Sequence, residues 1–459
     1  MERYDIIVIG SGPGGYVAAI RAAQCGKRVA IVEKADAGGV CLNWGCIPTK
    51  ALVRSAQVYA DCRAAASYGV AIEGEVRPDW PKMVERERMV ATTMNKGVQF
   101  LLKKNNIDLL AGFGTLKAKN VVDVDGVEYE ADNIILATGA RPRVMPFMPI
   151  DGEHIISSKE ALVLPSLPET MVVVGSGAIG SEFAYIYATM GVKVTIVEYM
   201  PQIMPLEDED TAKAMERAFR KLRATVMTST TVKQVTVRED GKCVVDIEGK
   251  KGAQTLEADV VLSAVGIKSN IENMGLEELG IEIERDKIKV DEHYKTTVDG
   301  VYAIGDIIAT PALAHVASAE AIHCVEHICG LNPEAIDYST IPSCIFTSPE
   351  VASVGLTEQQ VRDKGIEYKV GKFPYTASGK ATAAGERDGF VKLIFDAEER
   401  LLGAHFVGHN VTEMIGEPTL AKTLGVTAHR IARTIHAHPS MHEAVMEAAE
   451  DALGCAIHV

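Results

Sequence analysis

The sequence predicts an α/β protein in which two Rossmann-like units precede a C-terminal α+β region. Three observations lead to this fold class. A strand, glycine turn, helix and second strand occur in the same order twice, starting at Tyr4 and at Thr170. The 459 residues are too many for one ordinary domain. Two β-like runs, "GFVKLIF" and "LLGAHFVG", precede the helical pattern "TEMIGEPTLAKTLG" in the last part of the chain.

Composition narrows the class of protein. Hydrophobic residues make up 47% and charged residues 24%, as in globular proteins. The net charge of −15 argues against a nucleic-acid binder, which carries basic patches. The sequence shows no signal-peptide pattern and no apolar run long enough to span a membrane. The nine cysteines are scattered, unlike a secreted disulfide framework. We therefore expect a cytoplasmic protein with reduced thiols and no membrane insertion.

Each repeat contains G-x-G-x-x-G and a glutamate 23 residues after the first glycine. In this motif the first glycine makes a tight turn, the second lets a pyrophosphate approach, and the third lets the helix pack closely. The pyrophosphate lies at the helix N-terminus and the acidic residue binds a ribose. The motif residues are Gly10, Gly12, Gly15 and Glu33 in the first repeat, and Gly175, Gly177, Gly180 and Glu198 in the second. The two motifs therefore predict two dinucleotide sites. Glu198 favours NAD at the second site, because a carboxylate repels the 2′-phosphate of NADP.

The stretch "GGVCLNWGCIPTK" places Cys41 and Cys46 in a short loop after the first repeat. A disulfide and a nicotinamide each exchange two electrons, and a flavin can connect them. We therefore expect FAD in the first site and NAD in the second. A disulfide over this spacing cannot span a regular helix, so the segment must be distorted, most easily at Gly45 and Pro48. A thiolate near Lys50 or a helix N-terminus would have a lowered pKa. Two structural cysteines or a zinc half-site are the alternatives.

Thiol–disulfide exchange needs a base, because a free thiol is mostly protonated at neutral pH. His438 in "HAHPSMHE" is the candidate, with Glu443 able to reach back and orient its ring. Pro439 suits the first turn of a helix. The nearby His436 and His442 leave a zinc site as an alternative.

These motifs together resemble the pyridine nucleotide–disulfide oxidoreductases over almost the whole chain, from about Tyr4 to Glu450. The redox box from Gly38 to Lys50, "ILATGARP", "TTVDGVYAIGD", "IPSCIFTSPEVASVGLTE" and "HAHPSMHE" carry the resemblance. Val40 and Trp44 depart from the usual residues of the box. The resemblance is closest to members that oxidise dihydrolipoamide on the lipoyl domain of a 2-oxo acid dehydrogenase or glycine cleavage complex and reduce NAD to NADH. It implies a homodimer.

The resemblance also implies roles for individual residues. Cys41 would be the interchange thiol that attacks the substrate, and Cys46 the thiol nearest the flavin. Lys50 would lie near the flavin and pair with Glu182. His438 and Glu443 would be the base and its orienting partner, serving the disulfide of the other subunit. The further cofactor contacts implied for FAD are Gly114, Thr138, Gly139, Asp306 and Ala314, and those for NAD are Val232 and Gly266.

The expected domain plan has four parts. An FAD region covers residues 1–150, an NAD region 151–270, a central segment completing the FAD site 271–340, and a dimerisation region 341–459. The charge runs "EDED" and "ERER" are expected to be solvated faces, and Cys324 and Cys329 to pack within one helix.

Three other functions stay open. A glutathione-type reductase shares the plan but expects NADP and arginines at the second site. A mercuric reductase expects a C-terminal cysteine pair, whereas this chain has Cys455 alone. A flavin-bound redox sensor or scaffold has no need of the His438–Glu443 pair.

Overall fold

All 459 residues are described by a computed structural model. The strands are β1 Glu2–Ile9, β2 Val29–Glu33, β3 Asp108–Ala111, β4 Gly114–Ala118, β5 Val121–Val124, β6 Val127–Leu136, β7 Ala140–Pro142, β8 Ile155–Ile156, β9 Thr170–Val174, β10 Lys193–Val197, β11 Thr225–Met227, β12 Thr231–Val237, β13 Cys243–Gly249, β14 Gly252–Ala258, β15 Val260–Ser263, β16 Ile267–Ser269, β17 Ile283–Glu284, β18 Lys287–Ile288, β19 Val301–Ala303, β20 Pro342–Ile345, β21 Glu350–Gly355, β22 Tyr368–Pro374, β23 Phe390–Asp396 and β24 Leu401–Gly408.

The α-helices are α1 Pro13–Gln24, α2 Gly39–Asn43, α3 Cys46–Ala64, α4 Trp80–Lys104, α5 Ser158–Ala161, α6 Ala178–Thr189, α7 Glu209–Lys221, α8 Ala314–Ile328, α9 Glu358–Asp363, α10 Gly379–Ala384, α11 Val411–Met414, α12 Gly416–Thr423, α13 Ala428–Ala432 and α14 Glu443–Ala452. None of these helices is both long enough and apolar enough to cross a lipid bilayer.

The chain forms two compact units. The first contains Met1–Leu52, Pro81–Arg143 and Gly266–Ile336, and the second contains Val53–Trp80, Val144–Val265 and Asp337–Val459. These two units do not test the four-part domain plan, which stays a prediction.

The first unit is built on a seven-stranded sheet. Its order is β3-β2-β1-β6-β5-β4, with β19 also paired to β6. Strands β3, β2, β1, β6 and β19 are parallel, whereas β5 and β4 continue the sheet in antiparallel fashion. Ile6, Ile7 and Val8 of β1 are all fully buried, because both faces of a parallel sheet are covered. The first predicted Rossmann-like unit is confirmed.

The second unit contains three sheets. A parallel sheet in the order β11-β10-β9-β15-β8 holds the second glycine motif and confirms the second Rossmann-like unit. A three-stranded antiparallel sheet, β12-β13-β14, follows along the chain. The C-terminal sheet has the antiparallel order β20-β21-β24-β23-β22. Helix α14 lies so close to β22 that a Cβ on Gly371 would be 1.8 Å from the Ala448 carbonyl oxygen. The predicted C-terminal α+β region is confirmed.

The expectation of a solvated face at "EDED" is wrong for Glu207 and Asp208, whereas Glu209 is exposed. Only 8% of Glu207 and 1% of Asp208 is exposed. Asp208 caps the N-terminus of α7, where its side chain accepts a hydrogen bond from the Asp210 backbone N–H. It also pairs with the buried Lys392 at 2.9 Å. Burial raises the pKa of Glu207 to about 7, although a hydrogen bond from Ser353 acts to lower it.

The expectation for "ERER" is half wrong. Glu85 and Arg86 are exposed, but Glu87 is fully buried in α4 and pairs with Arg88. The Arg88 guanidinium lies 4.2 Å from the ring centre of Trp44 and donates a 2.8 Å hydrogen bond to the Asn43 carbonyl. This segment therefore supports the cysteine loop.

Candidate active site

The first glycine motif forms a cradle whose geometry requires glycine. Gly10 has φ of +102°, and a Cβ there would lie 2.4 Å from the Ala137 carbonyl oxygen. A Cβ on Gly15 would lie 1.8 Å from the Gly10 carbonyl oxygen, so α1 packs directly against the turn. Gly12 precedes α1 and faces open space, which leaves room for a phosphate at the helix N-terminus. The cradle fits a dinucleotide.

The second motif repeats this geometry. Gly175 has φ of +96°, and a Cβ there would lie 2.4 Å from the Ala264 carbonyl oxygen. A Cβ on Gly180 would lie 2.0 Å from the Gly175 carbonyl oxygen, whereas Gly177 faces open space at the start of α6. The second cradle therefore fits a dinucleotide for the same reasons.

Both acidic residues are held by a serine that sequence reasoning missed. Glu33 Oε2 accepts hydrogen bonds from the backbone N–H and Oγ of Ser11, at 3.0 and 2.6 Å. Glu198 Oε2 accepts the same pair from Ser176, at 2.8 and 2.6 Å. The signal was in the sequence, because the residue after the first glycine is serine in both repeats. Ser11 Oγ also accepts a bond from Gly38 N–H at 3.1 Å, which anchors the cysteine loop to the first cradle.

Asp306 carries a half-buried carboxylate in the first unit. It lies in a 3₁₀ turn at Gly305–Ile307, and its carboxylate accepts no hydrogen bond from the protein. Burial raises its pKa, which the charge of Lys287 opposes. Two protein groups, Ser269 Oγ and Lys287 Nζ, bond its backbone carbonyl instead. A polyol hydroxyl would satisfy the carboxylate, as the predicted flavin contact requires.

The remaining predicted cofactor residues lie at ends of elements. Gly114 begins β4 and is buried, Ala314 begins α8, and Thr138 follows β6 with its hydroxyl donating to the Asn270 carbonyl at 2.6 Å. Gly139, with φ of +66°, faces open space. Val232 is buried in β12 of the second unit, whereas Gly266 begins the last segment of the first unit. Their cofactor contacts stay predictions.

The cysteine loop is broken as its spacing predicts. Cys41 lies in α2 and Cys46 is the first residue of α3, with the helical path interrupted at Trp44 and Gly45. Buried Asn43 fastens the loop by donating to the Ala37 and Gly39 carbonyls at 3.0 and 2.9 Å. The two cysteines are present as thiols.

The electrostatics of the pair differ from the expectation for Cys41. The hydrogen bond to the Cys46 sulfur, and then burial, raise the pKa of the Cys41 thiol, while the charge of Lys50 acts only weakly to lower it. The expected lowering near Lys50 is therefore wrong for Cys41. The sulfur of Cys46 is more favourably placed to carry a negative charge. That sulfur lies at the N-terminus of the 19-residue α3, where the helix dipole stabilises an anion.

His438 and Glu443 form the expected pair in the second unit. His438 Nδ1 lies 2.8 Å from Glu443 Oε1, and 79% of the imidazole is exposed. Glu443 Oε2 accepts a 2.8 Å bond from the Ser440 backbone N–H. This bond and the one with His438 lower the pKa of Glu443, although burial opposes them. Pro439 does not lie in a helix, because α14 begins only at Glu443, so that part of the prediction is wrong.

The neighbouring histidines bind a different carboxylate. His436 Nε2 and His442 Nδ1 lie 2.7 and 2.9 Å from the two oxygens of Glu417. No group of three or more histidine, cysteine, aspartate or glutamate side chains has the arrangement of a metal site.

Lys50 and Glu182 lie in different units. Lys50 is half-buried in the first turns of α3. Glu182 is 3% exposed in α6, and its Oε1 accepts a 3.0 Å bond from the Phe346 backbone N–H. Their pairing stays a prediction.

Two dinucleotide cradles and a loop-held thiol pair are the parts of a dinucleotide-dependent disulfide oxidoreductase. The family model of the pyridine nucleotide-disulphide oxidoreductases matches residues 4–321, and the model of their dimerisation domain matches residues 341–449. The chain belongs to this family. The dimerisation domain indicates a homodimer.

Curated relatives and solved structures agree with this assignment. The dihydrolipoyl dehydrogenase of Chlorobaculum parvum is 47% identical, over 98% of this chain and 97% of its own length. That of Zymomonas mobilis is 44% identical, over 100% and 99%. The crystal structure of LpdA from Mycobacterium tuberculosis matches with a TM-score of 0.90 at 27% identity, covering 98% of this chain and 99% of that chain. The Escherichia coli flavoprotein disulfide reductase RclA matches with a TM-score of 0.87 at 26% identity, with the same coverage.

Proposed function

We propose that this chain is a homodimeric dihydrolipoyl dehydrogenase that uses FAD and oxidises dihydrolipoamide with reduction of NAD to NADH. One observation carries the proposal: the thiols of Cys41 and Cys46 share a hydrogen bond in a loop that Ser11 fastens to the first cradle. Relatives named dihydrolipoyl dehydrogenase match nearly the whole chain and support it.

The reaction begins with the Cys41–Cys46 disulfide. His438 takes the proton of a substrate thiol, while Glu443 fixes its Nδ1 and stabilises the imidazolium. The substrate sulfur attacks Cys41, the bond between the two cysteines breaks, and Cys46 leaves as a thiolate. The second substrate thiol then attacks the mixed disulfide, and Cys41 departs as a thiol. Dihydrolipoamide has lost two electrons and two protons, and the cysteines hold the electrons.

FAD, when bound, would supply the two-electron relay between the thiol pair and NAD. The protein positions the two dinucleotides. The first cradle, with Glu33 and Asp306, would hold FAD, and the second, with Glu198, would hold NAD. Glu198 is 5% exposed and accepts bonds from Ser176 and from Met200 N–H, so its carboxylate is fixed where a ribose can bind. A 2′-phosphate at the same place would be repelled, which favours NAD over NADP.

The substrate is dihydrolipoamide carried by the lipoyl domain of a 2-oxo acid dehydrogenase or glycine cleavage complex. His438 suits an extended substrate of this kind, because its ring is largely exposed while its Nδ1 is fixed. As the family resemblance implies, it serves the thiol pair of the other subunit.

The test is the rate of NADH formation from free dihydrolipoamide by the purified dimer, with NADP assayed in parallel. We expect rapid reduction of NAD and little reduction of NADP. If a yellow, dimeric preparation forms no NADH, the thiol pair serves another disulfide, and oxidised glutathione and mercuric ion become the substrates to try.

A further inference from the structure

A second pair of cysteines lies outside the catalytic loop, in the first unit. Cys25 is the residue that ends α1, and Cys329 is the residue that ends α8. Both are half-buried thiols that pack against the core of the first unit, and the Cys25 thiol acts on the Cys329 thiol. Cys324, five residues before Cys329, is fully buried instead. The expectation that Cys329 only packs within its own helix is therefore incomplete, because its thiol meets a cysteine more than 300 residues away.

Two parallel, closely packed helices hold this pair in place. Near their N-terminal ends, Ser318 Oγ lies 3.4 Å from the Pro13 carbonyl oxygen. Near their C-terminal ends, Arg21 donates to Glu326 Oε1 at 2.6 and 3.1 Å. A Cβ on Gly14 would touch the Ala317 Cβ at 3.4 Å, so the two backbones run close together. The meeting of Cys25 and Cys329 follows from rigid elements and not from a loop.

The backbone of each cysteine is also fixed. The Cys25 N–H donates to the Arg21 carbonyl at 3.0 Å, and the Cys329 N–H donates to the Val325 carbonyl at 2.9 Å. A covalent S–S bond needs the two sulfurs to close to about 2.05 Å.

Two cationic groups and one carboxylate lie near the pair, because Arg21 is paired with Glu326 at 2.6 Å. Arg21 and Lys27 are the cationic groups that act on the Cys329 sulfur, and both act to lower its pKa. Burial and the Cys25 thiol act more strongly and raise it. The thiolate is the form of a cysteine that attacks a peroxide, and nearby positive charge favours that form.

We propose that Cys25 and Cys329 are a second redox dithiol, distinct from the catalytic pair, that hydroperoxides oxidise to a disulfide linking α1 to α8. The Cys25 thiolate attacks the peroxide, its sulfur becomes a sulfenic acid, and one water (or alcohol) leaves. The Cys329 sulfur then attacks the Cys25 sulfur, the S–S bond forms, and the hydroxyl leaves with the Cys329 proton as a second water. Two sulfur atoms lose two electrons in total, and the peroxide gains them.

The disulfide would close a very long loop of the chain, which restricts the unfolded state. We expect oxidation to raise the melting temperature of the first unit while leaving turnover unchanged, because neither cysteine belongs to the catalytic loop or a cradle. A low-molecular-weight dithiol would reverse it by exchange.

The experiment treats the oxidised holoenzyme, whose catalytic cysteines are already paired, with hydrogen peroxide. Free thiols are then blocked in acid, and the protein is digested without reductant for mass spectrometry. We expect a Cys25–Cys329 linked peptide that a dithiol abolishes, and the loss of two free thiols. Cys62→Ser, which removes another half-buried cysteine, should leave the linked peptide intact, whereas Cys25→Ser should eliminate it.

The wild-type measurement alone decides the matter if a variant fails to fold. Peroxide that converts Cys25 or Cys329 to sulfinic acid without a linked peptide would overturn the proposal. So would Cys25 linked to several different cysteines in similar amounts.

Discussion

Lys392 is a buried cation in the C-terminal sheet, and removing its charge should destabilise the protein. It lies in β23 with 2% of its side chain exposed, and its amine lies 2.9 Å from Asp208, 3.1 Å from Asp210 and 2.7 Å from Glu358. Lys392→Met keeps the length and removes the charge. Asp208 would then lose its ion-pair partner, whereas Asp210 keeps Lys372 at 2.9 Å and Glu358 keeps Arg362 at 3.5 Å.

The size of the expected loss of stability depends on how exposed each carboxylate is. Removing one partner of a buried ion pair costs about 3–5 kcal/mol of unfolding free energy. Asp210 and Glu358 are 34% and 24% exposed and stay partly hydrated, so Asp208, at 1%, accounts for most of the loss. Asp208 keeps its bonds from the Asp210 and Glu358 backbone N–H groups, each at 3.0 Å. We therefore expect the mutation to lower the unfolding free energy by about 3 kcal/mol, the lower end of this range. At roughly 2–4 °C per kcal/mol, the melting temperature should fall by roughly 6–12 °C.

Thermal melts of the holoenzyme at about pH 7.5 and about pH 5 test the reasoning. Burial acts to raise the pKa of Asp208, but His405 and Lys392 hold it below its usual range. Wild type thus keeps this stabilisation at both pH values and loses it only as pH falls through the lowered pKa. Without Lys392 burial prevails, the carboxylates gain protons as pH falls, and the difference in melting temperature should narrow at low pH.

The control is Lys213→Met, which removes an exposed lysine that pairs with Glu209 at 2.7 Å on α7. It should change the melting temperature little, because exposed ion pairs contribute little. A Lys392→Met protein that melts like this control, or a difference that widens at low pH, would refute the reasoning.

Four further predictions follow from the site and its surroundings. Glu207→Gln should raise the melting temperature more at about pH 8 than at about pH 5. The pKa of Glu207 is raised to about 7 in the folded protein, so the wild-type protein loses folding stability as the pH rises from the pKa of the unfolded chain to about 7. His438→Ala should lower kcat for dihydrolipoamide by about 10²-fold, and Glu443→Gln by a smaller factor, in steady-state assays. Cys46→Ser should keep the yellow flavin spectrum but lose dihydrolipoamide turnover. Glu198→Gln should raise KM for NAD about tenfold by weakening a charge-assisted hydrogen bond, and should narrow the preference over NADP.

Local motifs were sufficient to predict the two cradles and the broken cysteine loop. Glycine at Gly10 and Gly15 is dictated by neighbours within the same strand–turn–helix unit, and the spacing of Cys41 and Cys46 excludes a regular helix. The hydrogen-bonded His438–Glu443 pair was likewise visible within six residues of sequence. Interactions between residues that are close in sequence leave a pattern that can be recognised.

Contacts between distant segments left no such pattern. The run "EDED" looks solvated because nothing near it shows that Lys392, 184 residues after Asp208, will neutralise it. Cys25 and Cys329 likewise meet only because α1 and α8 pack side by side. Ser11 is different, since its repetition at Ser176 was a signal that glycine-based reasoning overlooked.

The most direct test of the central claim follows the oxidation state of each cysteine during half of the reaction. The oxidised protein is mixed without oxygen with a stoichiometric amount of dihydrolipoamide, quenched in acid, unfolded and alkylated, and the labelled cysteines are located by mass spectrometry. We predict that Cys41 and Cys46 become alkylated only after dihydrolipoamide is added, and that adding NAD before the quench restores their protection and forms NADH. Labelling of this pair that is unchanged by dihydrolipoamide, or not reversed by NAD, would contradict the claim that these two cysteines carry the electrons.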